Sequence, residues 1–202
     1  KEAVKTAFSL TNDLYPAGID FDFMDYESLQ RSTIQDKELN VSGEKYKVLI
    51  LPSLSAVRYS TVKKALQFFR AGGIVLAVGS LPEASERAGE NDAQLQSMIR
   101  EMFGTTFSEY HDSTVVYSQK SKSGGSGLFI HNPPEAKKII SNLIQPDFKV
   151  LSGTAIPGIL HRKAGNRDLY FVYGLPKGTS CSFRATGKVE LWNPWSGTTK
   201  PL

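Results

Sequence analysis

YKVLILPSL at residues 46–54 and GGIVLAVGSLPE at residues 72–83 flank a helix-spaced segment, and the three together decide the fold. Val48, Leu49, Ile50 and Leu51 form an apolar run too short for a helix, stopped by Pro52. Such a run predicts a strand buried on both faces. Over residues 61–71, Val62, Ala65, Leu66, Phe68 and Phe69 recur at helical spacing, with Lys63, Lys64, Gln67 and Arg70 between them. This predicts a helix with one face toward the core. Gly72 and Gly73 end it, because glycine accepts the left-handed backbone that a helix end often needs. Residues 74–78 predict a second buried strand, closed by Gly79. Strand, helix and strand of this length predict a right-handed crossover between parallel strands. Ligands of open parallel sheets sit beyond the carboxyl ends of the strands, which directs attention to residues 52–59 and 79–83.

At 202 residues the chain fits one large domain, or one domain and part of another. Its 40% hydrophobic and 22% charged content is that of an ordinary soluble globular protein. The net charge of +4 is mild, and the basic residues are scattered. No basic stripe interleaved with aromatics is present, so no nucleic-acid partner is expected. No apolar run approaches the ~20 residues of a membrane span. Cys181 stands alone, so no internal disulfide is expected, which suits a cytosolic or a periplasmic protein equally. In TSCSFRA it reads as a half-buried strand residue.

Residues 2–15 read as a helix ended by Pro16, Ala17 and Gly18. Ile19, Phe21 and Phe23 alternate with Asp20 and Asp22, which predicts a strand over 19–24. A helix and then a strand at the start imply an earlier neighbouring strand, so the chain is expected to be a portion of something longer. LNVSGEKYK at 39–47 predicts a short hairpin turning at Ser42-Gly43. Residues 91–103 form the next helix, with Asn91 or Asp92 as cap and Gly104 as stop. Strands are expected at 113–118 and 128–130, joined by the glycine-rich KSKSGGSG, and a helix over 135–144 after Pro133-Pro134. Short alternating runs from about Asp147 onward predict an antiparallel meander. The expected division is an α/β domain at 1–152 and an antiparallel β extension at 153–202.

The chemistry is sparse. VLILPSLSA lacks the glycines of a dinucleotide fingerprint, VGSLPEAS has one, and KSGGSG lies between strands, so no nucleotide or other cofactor is expected. Gly79-Ser80 follows a strand, but the Gly-x-Ser-x-Gly elbow is absent. His111, His131 and His161 are too far apart in sequence for a metal motif, so no metal is expected. Asp22, Asp25 and Glu27, or Glu83 and Glu86, supply carboxylates for a glycosidase-type pair, which must stand about 5 to 10 Å apart. Loop carboxylates are more often simply solvated. Trp192 and Trp195, in ELWNPWSG, can stack on sugar rings or plug the end of a β-structure. The residues singled out for ligand contact are Arg58, Tyr59, Ser80, Glu83, Trp192 and Trp195.

EKYKVLILPSLSAV, the helix after it, and AGGIVLAVGSLPEAS resemble the amidotransferase-like, flavodoxin-type domain inside large bacterial glycoside hydrolases. The nearest likeness is to the alpha-L-rhamnosidase type, glycoside hydrolase family 106, with the beta-galactosidase middle domain more distant. GNRDLYFVYGLPKG and GKVELWNPWSGTTKPL are similar to the strand-rich segment that follows in those enzymes. The resemblance implies a three-layer α/β fold, flavodoxin-like or class I glutamine amidotransferase-like, with a parallel sheet and a small antiparallel β extension. It implies a non-catalytic accessory domain in a secreted or periplasmic enzyme acting on polysaccharide. Its partners would be the catalytic barrel and β-sandwich domains of the parent chain, and carbohydrate. No catalytic residue carries over, and the amidotransferase elbow at Gly79-Ser80-Leu81 holds no cysteine. Two rivals stand beside this reading: a stand-alone sugar-binding module using the tryptophans, and an independent hydrolase using Ser80 or the acidic loop residues.

Overall fold

The structure, a computed structural model, describes residues 1–90, 92–111 and 114–202. It divides into two compact units, one of Lys1–Leu14 with Phe21–Ile144 and one of Tyr15–Asp20 with Gln145–Leu202.

The first unit is built on a four-stranded sheet. Its order is Val48–Pro52, Ile74–Val78, Ser126–Ile130, Val116–Lys120. The first three are parallel, with Val48 and Ser126 both aligned to Ile74. The helix between the first two spans Tyr59–Arg70 and buries Val62, Ala65, Leu66, Phe68 and Phe69, the face that the spacing predicts. The Ala93–Phe103 helix packs beside it and against the Ser126–Ile130 and Val116–Lys120 strands. Asp92 caps that helix by accepting from the Gln94 and Leu95 amides, and Gly104 ends it with a left-handed φ of 75°. The Glu2–Leu14 helix contacts the Val48–Pro52 strand and the Ala136–Leu143 helix. Phe68, Phe69, Phe103 and Phe129, each at most 2% exposed, fill the core between these elements.

This is not the expected three-layer flavodoxin-like or amidotransferase-like parallel sheet. The parallel run stops at three strands. Val116–Lys120 joins Ser126–Ile130 through the tight turn at 121–125, and a tight turn makes its strands antiparallel. The predicted strand at 19–24 does not form. Its aromatics cluster instead, with Phe23 5.7 Å from Phe8 and 6.1 Å from Phe21 between ring centroids. The remaining strands of this unit go into two small sheets. One is antiparallel, Thr33–Gln35, Glu38–Val41 and Glu44–Tyr46, and contains the predicted hairpin at Ser42-Gly43. The other is mixed, Ala56–Val57, Ala84–Ser85 and Gly89–Glu90. The Asn91 cap and the Ser113 start of the predicted 113–118 strand fall outside the described residues.

The second unit holds three separate two-stranded antiparallel sheets. They pair Gly158–Ala164 with Arg167–Tyr173, Glu190–Trp192 with Thr199–Pro201, and Phe148–Val150 with Cys181–Phe183. The last pairing skips over the first hairpin, so the strands do not follow the predicted meander. Residues 15–20 join this unit where the Asp147 amide donates to the Gly18 carbonyl at 3.0 Å. Among the described residues no helix is long and apolar enough to cross a membrane.

Gly127 lies close against the Ala93–Phe103 helix: an added Cβ would stand 1.8 Å from the Met102 carbonyl oxygen. Backbone cannot move aside as a side chain can. Gly127→Ala is therefore expected to lower stability by about 1–3 kcal/mol, read as a lower urea midpoint by far-UV circular dichroism.

Candidate functional site

Parallel pairing places Pro52 beside Val78, so both loops leave the sheet at one edge. They are fastened there at once. Ser53 is buried at a left-handed φ of 38°, and its amide donates to the Val78 carbonyl at 2.7 Å. Its hydroxyl lies 2.8 Å from the Thr6 hydroxyl. Gly79 donates to the Ile130 carbonyl at 2.8 Å, and a Cβ on it would fall 1.9 Å from Ser53 Oγ. Farther out, the Ser55 carbonyl accepts from the Glu83 and Ala84 amides at 2.8 and 3.1 Å. The loops predicted to hold a ligand thus hold each other.

Around them sits a ring of stacked and paired polar groups. The Arg58 guanidinium lies over the Tyr26 ring at 4.3 Å, and that of Arg87 over the Tyr59 ring at 3.9 Å. Glu86 accepts from the Tyr59 amide at 2.7 Å, which satisfies a free donor at the start of the Tyr59–Arg70 helix. Gln94 Oε1 accepts from Arg87 at 2.7 Å and from the Tyr59 hydroxyl at 3.2 Å. Asp92 is the centre. Its Oδ1 accepts from Arg87 at 2.7 Å and its Oδ2 from the Ser85 hydroxyl at 2.6 Å. Burial pushes this carboxyl upward, but the Ser85 hydroxyl, the Leu95 amide and the Arg87 guanidinium outweigh it and hold the pKa at about 2.

Of the six residues expected to meet a ligand, the structure brings Arg58 and Tyr59 into this ring. Ser80 and Glu83 line the same edge half-buried. Trp192 and Trp195 lie in the second unit, on the hairpin of Glu190–Trp192 and Thr199–Pro201. Trp192 donates to Glu190 at 3.2 Å, and Trp195 is 95% exposed above a turn closed by Asn193 Oδ1. Two of the other carboxylates named from the sequence are taken up by nearby side chains or amides. Asp22 accepts from the Tyr46 hydroxyl at 2.9 Å, and Asp25 caps the Tyr26–Arg31 helix through the Ser28 amide at 2.7 Å.

A second cluster, in the second unit, went unseen in the sequence. His161 Nε2 is 3.0 Å from Asp168 and its Nδ1 is 3.6 Å from Asp147. Its ring stacks on Tyr170 at 4.2 Å and 4°. Arg184 pairs with Asp147 and donates to the Gln145 carbonyl at 3.2 Å. Burial, with Asp147 and Asp168 nearby, pushes the Tyr170 phenol up to about 12. Strand alternation was the available signal, since it puts His161, Asp168 and Tyr170 on one face of the hairpin. The two carboxylates flank the imidazole instead of converging on one point, and among the described residues no group of three such side chains is arranged to hold a metal ion. Cys181 is half-buried in its strand, and burial pushes its thiol upward.

A family model described as alpha-L-rhamnosidase, glycoside hydrolase family 106, matches residues 2–202. No curated protein matches the sequence. Among solved structures, a rhamnosidase from Novosphingobium sp. PP1Y is similar at a TM-score of 0.62 and 18% identity, over 89% of this chain and 17% of that one. Gan42B, a GH42 beta-galactosidase from G. stearothermophilus, is similar at 0.64 and 15% identity, over 100% of this chain and 34% of that one. At these identities the likeness is one of fold. The chain spans well under half the length of either structure.

The Asp92 geometry sets a pH response. Its folded pKa lies below the ordinary 3.8, so its contribution to stability is complete above about pH 4 and is lost as pH falls toward about 2. Asp92→Asn is expected to flatten the stability profile in that window. At neutral pH it should cost about 1–3 kcal/mol, because Arg87 loses its carboxylate partner and keeps only Gln94 and the Tyr59 ring. Urea midpoints measured between pH 2 and 7 check both.

Proposed function

The chain belongs to the alpha-L-rhamnosidase family, glycoside hydrolase family 106, and from that membership we propose that it is a non-catalytic accessory part of a larger glycosidase. The observation that carries this is one of proportion. Residues 2–202 match the family model, yet the same fold occupies only 17% of the Novosphingobium rhamnosidase. The geometry of the sheet edge supports the reading. Arg87, Asp92, Glu86 and Gln94 spend their polar atoms on one another and on the Tyr59–Arg70 helix, leaving a braced loop pair and not an open set of reacting groups. The catalytic carboxylates then belong to another part of the parent. That parent acts on rhamnose-containing polysaccharide, in the periplasm or outside the cell.

The test is hydrolysis of p-nitrophenyl alpha-L-rhamnoside by the 202-residue chain and by the longer enzyme, side by side. Turnover is expected only in the longer enzyme. Turnover by the 202-residue chain, abolished by Ser80→Ala or Glu83→Gln, would overturn the accessory role.

Trp195, 95% exposed, favours a second reading in which the terminal hairpin binds sugar. An indole face that open matches the C–H face of a pyranose. If so, calorimetry against rhamnose-containing oligosaccharide detects binding that falls at least tenfold in Trp195→Ala, with circular dichroism unchanged.

A further inference from the structure

Among the described residues, the Gly158–Ala164 and Arg167–Tyr173 strands pair only with each other. Their register sorts the side chains onto two faces. Ile159, His161, Tyr170 and Val172 share the half-buried face, where His161 meets Asp147 and Asp168. Leu160, Leu169, Phe171 and Tyr173 share the opposite face and are 45%, 39%, 54% and 60% exposed. Leu160 stands directly across from Phe171, and the Phe171 and Tyr173 rings are 6.0 Å apart, so the four form one strip.

A hairpin covered on one side reads as apolar alternating with polar. Here the half-buried face carries His161, Lys163 and Asp168 beside Ile159, Tyr170 and Val172, while the exposed face carries the apolar strip, the reverse of what one-sided covering predicts. A two-stranded ribbon is also marginal by itself in water. At ~150–250 Å² per aromatic side chain, the exposed parts of Phe171 and Tyr173 alone present on the order of 200 Å². The two Leu side chains bring the strip into the range of patches that mark contact sites.

Charge narrows the choice of occupant. The other exposed side chains on this face include Arg162 and Arg167, near the tip of the hairpin. Asp168, the acidic residue of the hairpin, points to the other face, toward His161. A second copy laid on the strip in parallel would set arginine against arginine. A surface that is apolar in the middle and acidic at one margin fits it.

We infer that the outward face of this hairpin is covered, in the parent glycosidase, by another domain of the same polypeptide that presents an apolar surface with an acidic margin. The inference rests on the accessory reading above and adds which face docks. It draws on the same proportion, since this fold fills 17% and 34% of the two glycosidase chains it resembles and the rest of such a chain must border it somewhere.

Single-cysteine labelling tests it. In a Cys181→Ser background, Phe171→Cys and, separately, Leu160→Cys are introduced into the 202-residue chain and into the longer enzyme, and the rate of maleimide labelling is measured. The expected result is rapid labelling in the 202-residue chain and at least tenfold slower labelling in the longer enzyme at both positions. Equal, rapid labelling in both overturns the inference. Protection already present in the 202-residue chain also overturns it, and if that protection rises with protein concentration the occupant is a second copy. Either folded variant suffices, because the positions share one strip. Rhamnoside hydrolysis by the same 202-residue samples reports separately on the accessory role, so the two ideas can fail independently.

Discussion

The Ile74–Val78 strand is bonded along both edges, to Val48–Pro52 on one side and to Ser126–Ile130 on the other. Val75, Leu76, Ala77 and Val78 are fully buried. Backbone groups in such a position have no access to water, so their hydrogen bonds must come from neighbouring strands or be lost at a cost of about 1–3 kcal/mol each. That requirement fixes the neighbours. It sets the crossover helix over the sheet and brings the 52–59 and 79–83 loops out at one edge. The interlocking of Ser53 with Gly79 follows from it, because two parallel strands in register deliver their following residues to nearly the same place.

The same edge explains why a ligand-binding position in the topology can be given over to structure. Crevices beyond strand ends bind ligands when loops diverge and leave donors and acceptors unpaired. Here the loops converge and pair. The Arg58–Tyr26 and Arg87–Tyr59 pairs set cationic side chains over rings, and Asp92 ties the Arg87 pair to the start of the Ala93–Phe103 helix. The polar groups at this edge serve as internal braces. In the second unit the His161 cluster does the corresponding work, joining the 145–148 segment, the hairpin and Arg184 through charge and stacking where there is little apolar core to do so.

Much of the first unit was legible in its residues. The apolar runs at 48–51 and 74–78, the helical spacing between them and the Asp92 cap all report local geometry, and local geometry is what periodicity encodes. The reach toward a flavodoxin-like sheet failed where the answer was not local. Whether Val116–Lys120 runs with or against its neighbour depends on the length of one turn, and the alternation at Ile19, Phe21 and Phe23 looks like a strand although its aromatics gather into a cluster with Phe8. Arg58 and Tyr59 could be named because they follow a strand end. Arg87 and Gln94 could not, since they meet Tyr59 only through contacts made far along the chain. Likewise Asp147 and Arg184 are brought together by the pairing of Phe148–Val150 with Cys181–Phe183, which no short-range pattern announces.

Both tryptophans of the chain sit on the terminal hairpin, one half-exposed and one almost wholly so. The unit containing the large aromatic core of Phe68, Phe69, Phe103 and Phe129 has none. Intrinsic indole emission is therefore a local spectroscopic label for the second unit. An unfolding curve followed at tryptophan wavelengths would track a solvent-facing ribbon and pass over the melting of the main core, so agreement between that signal and far-UV circular dichroism becomes a measure of how cooperatively the two units unfold.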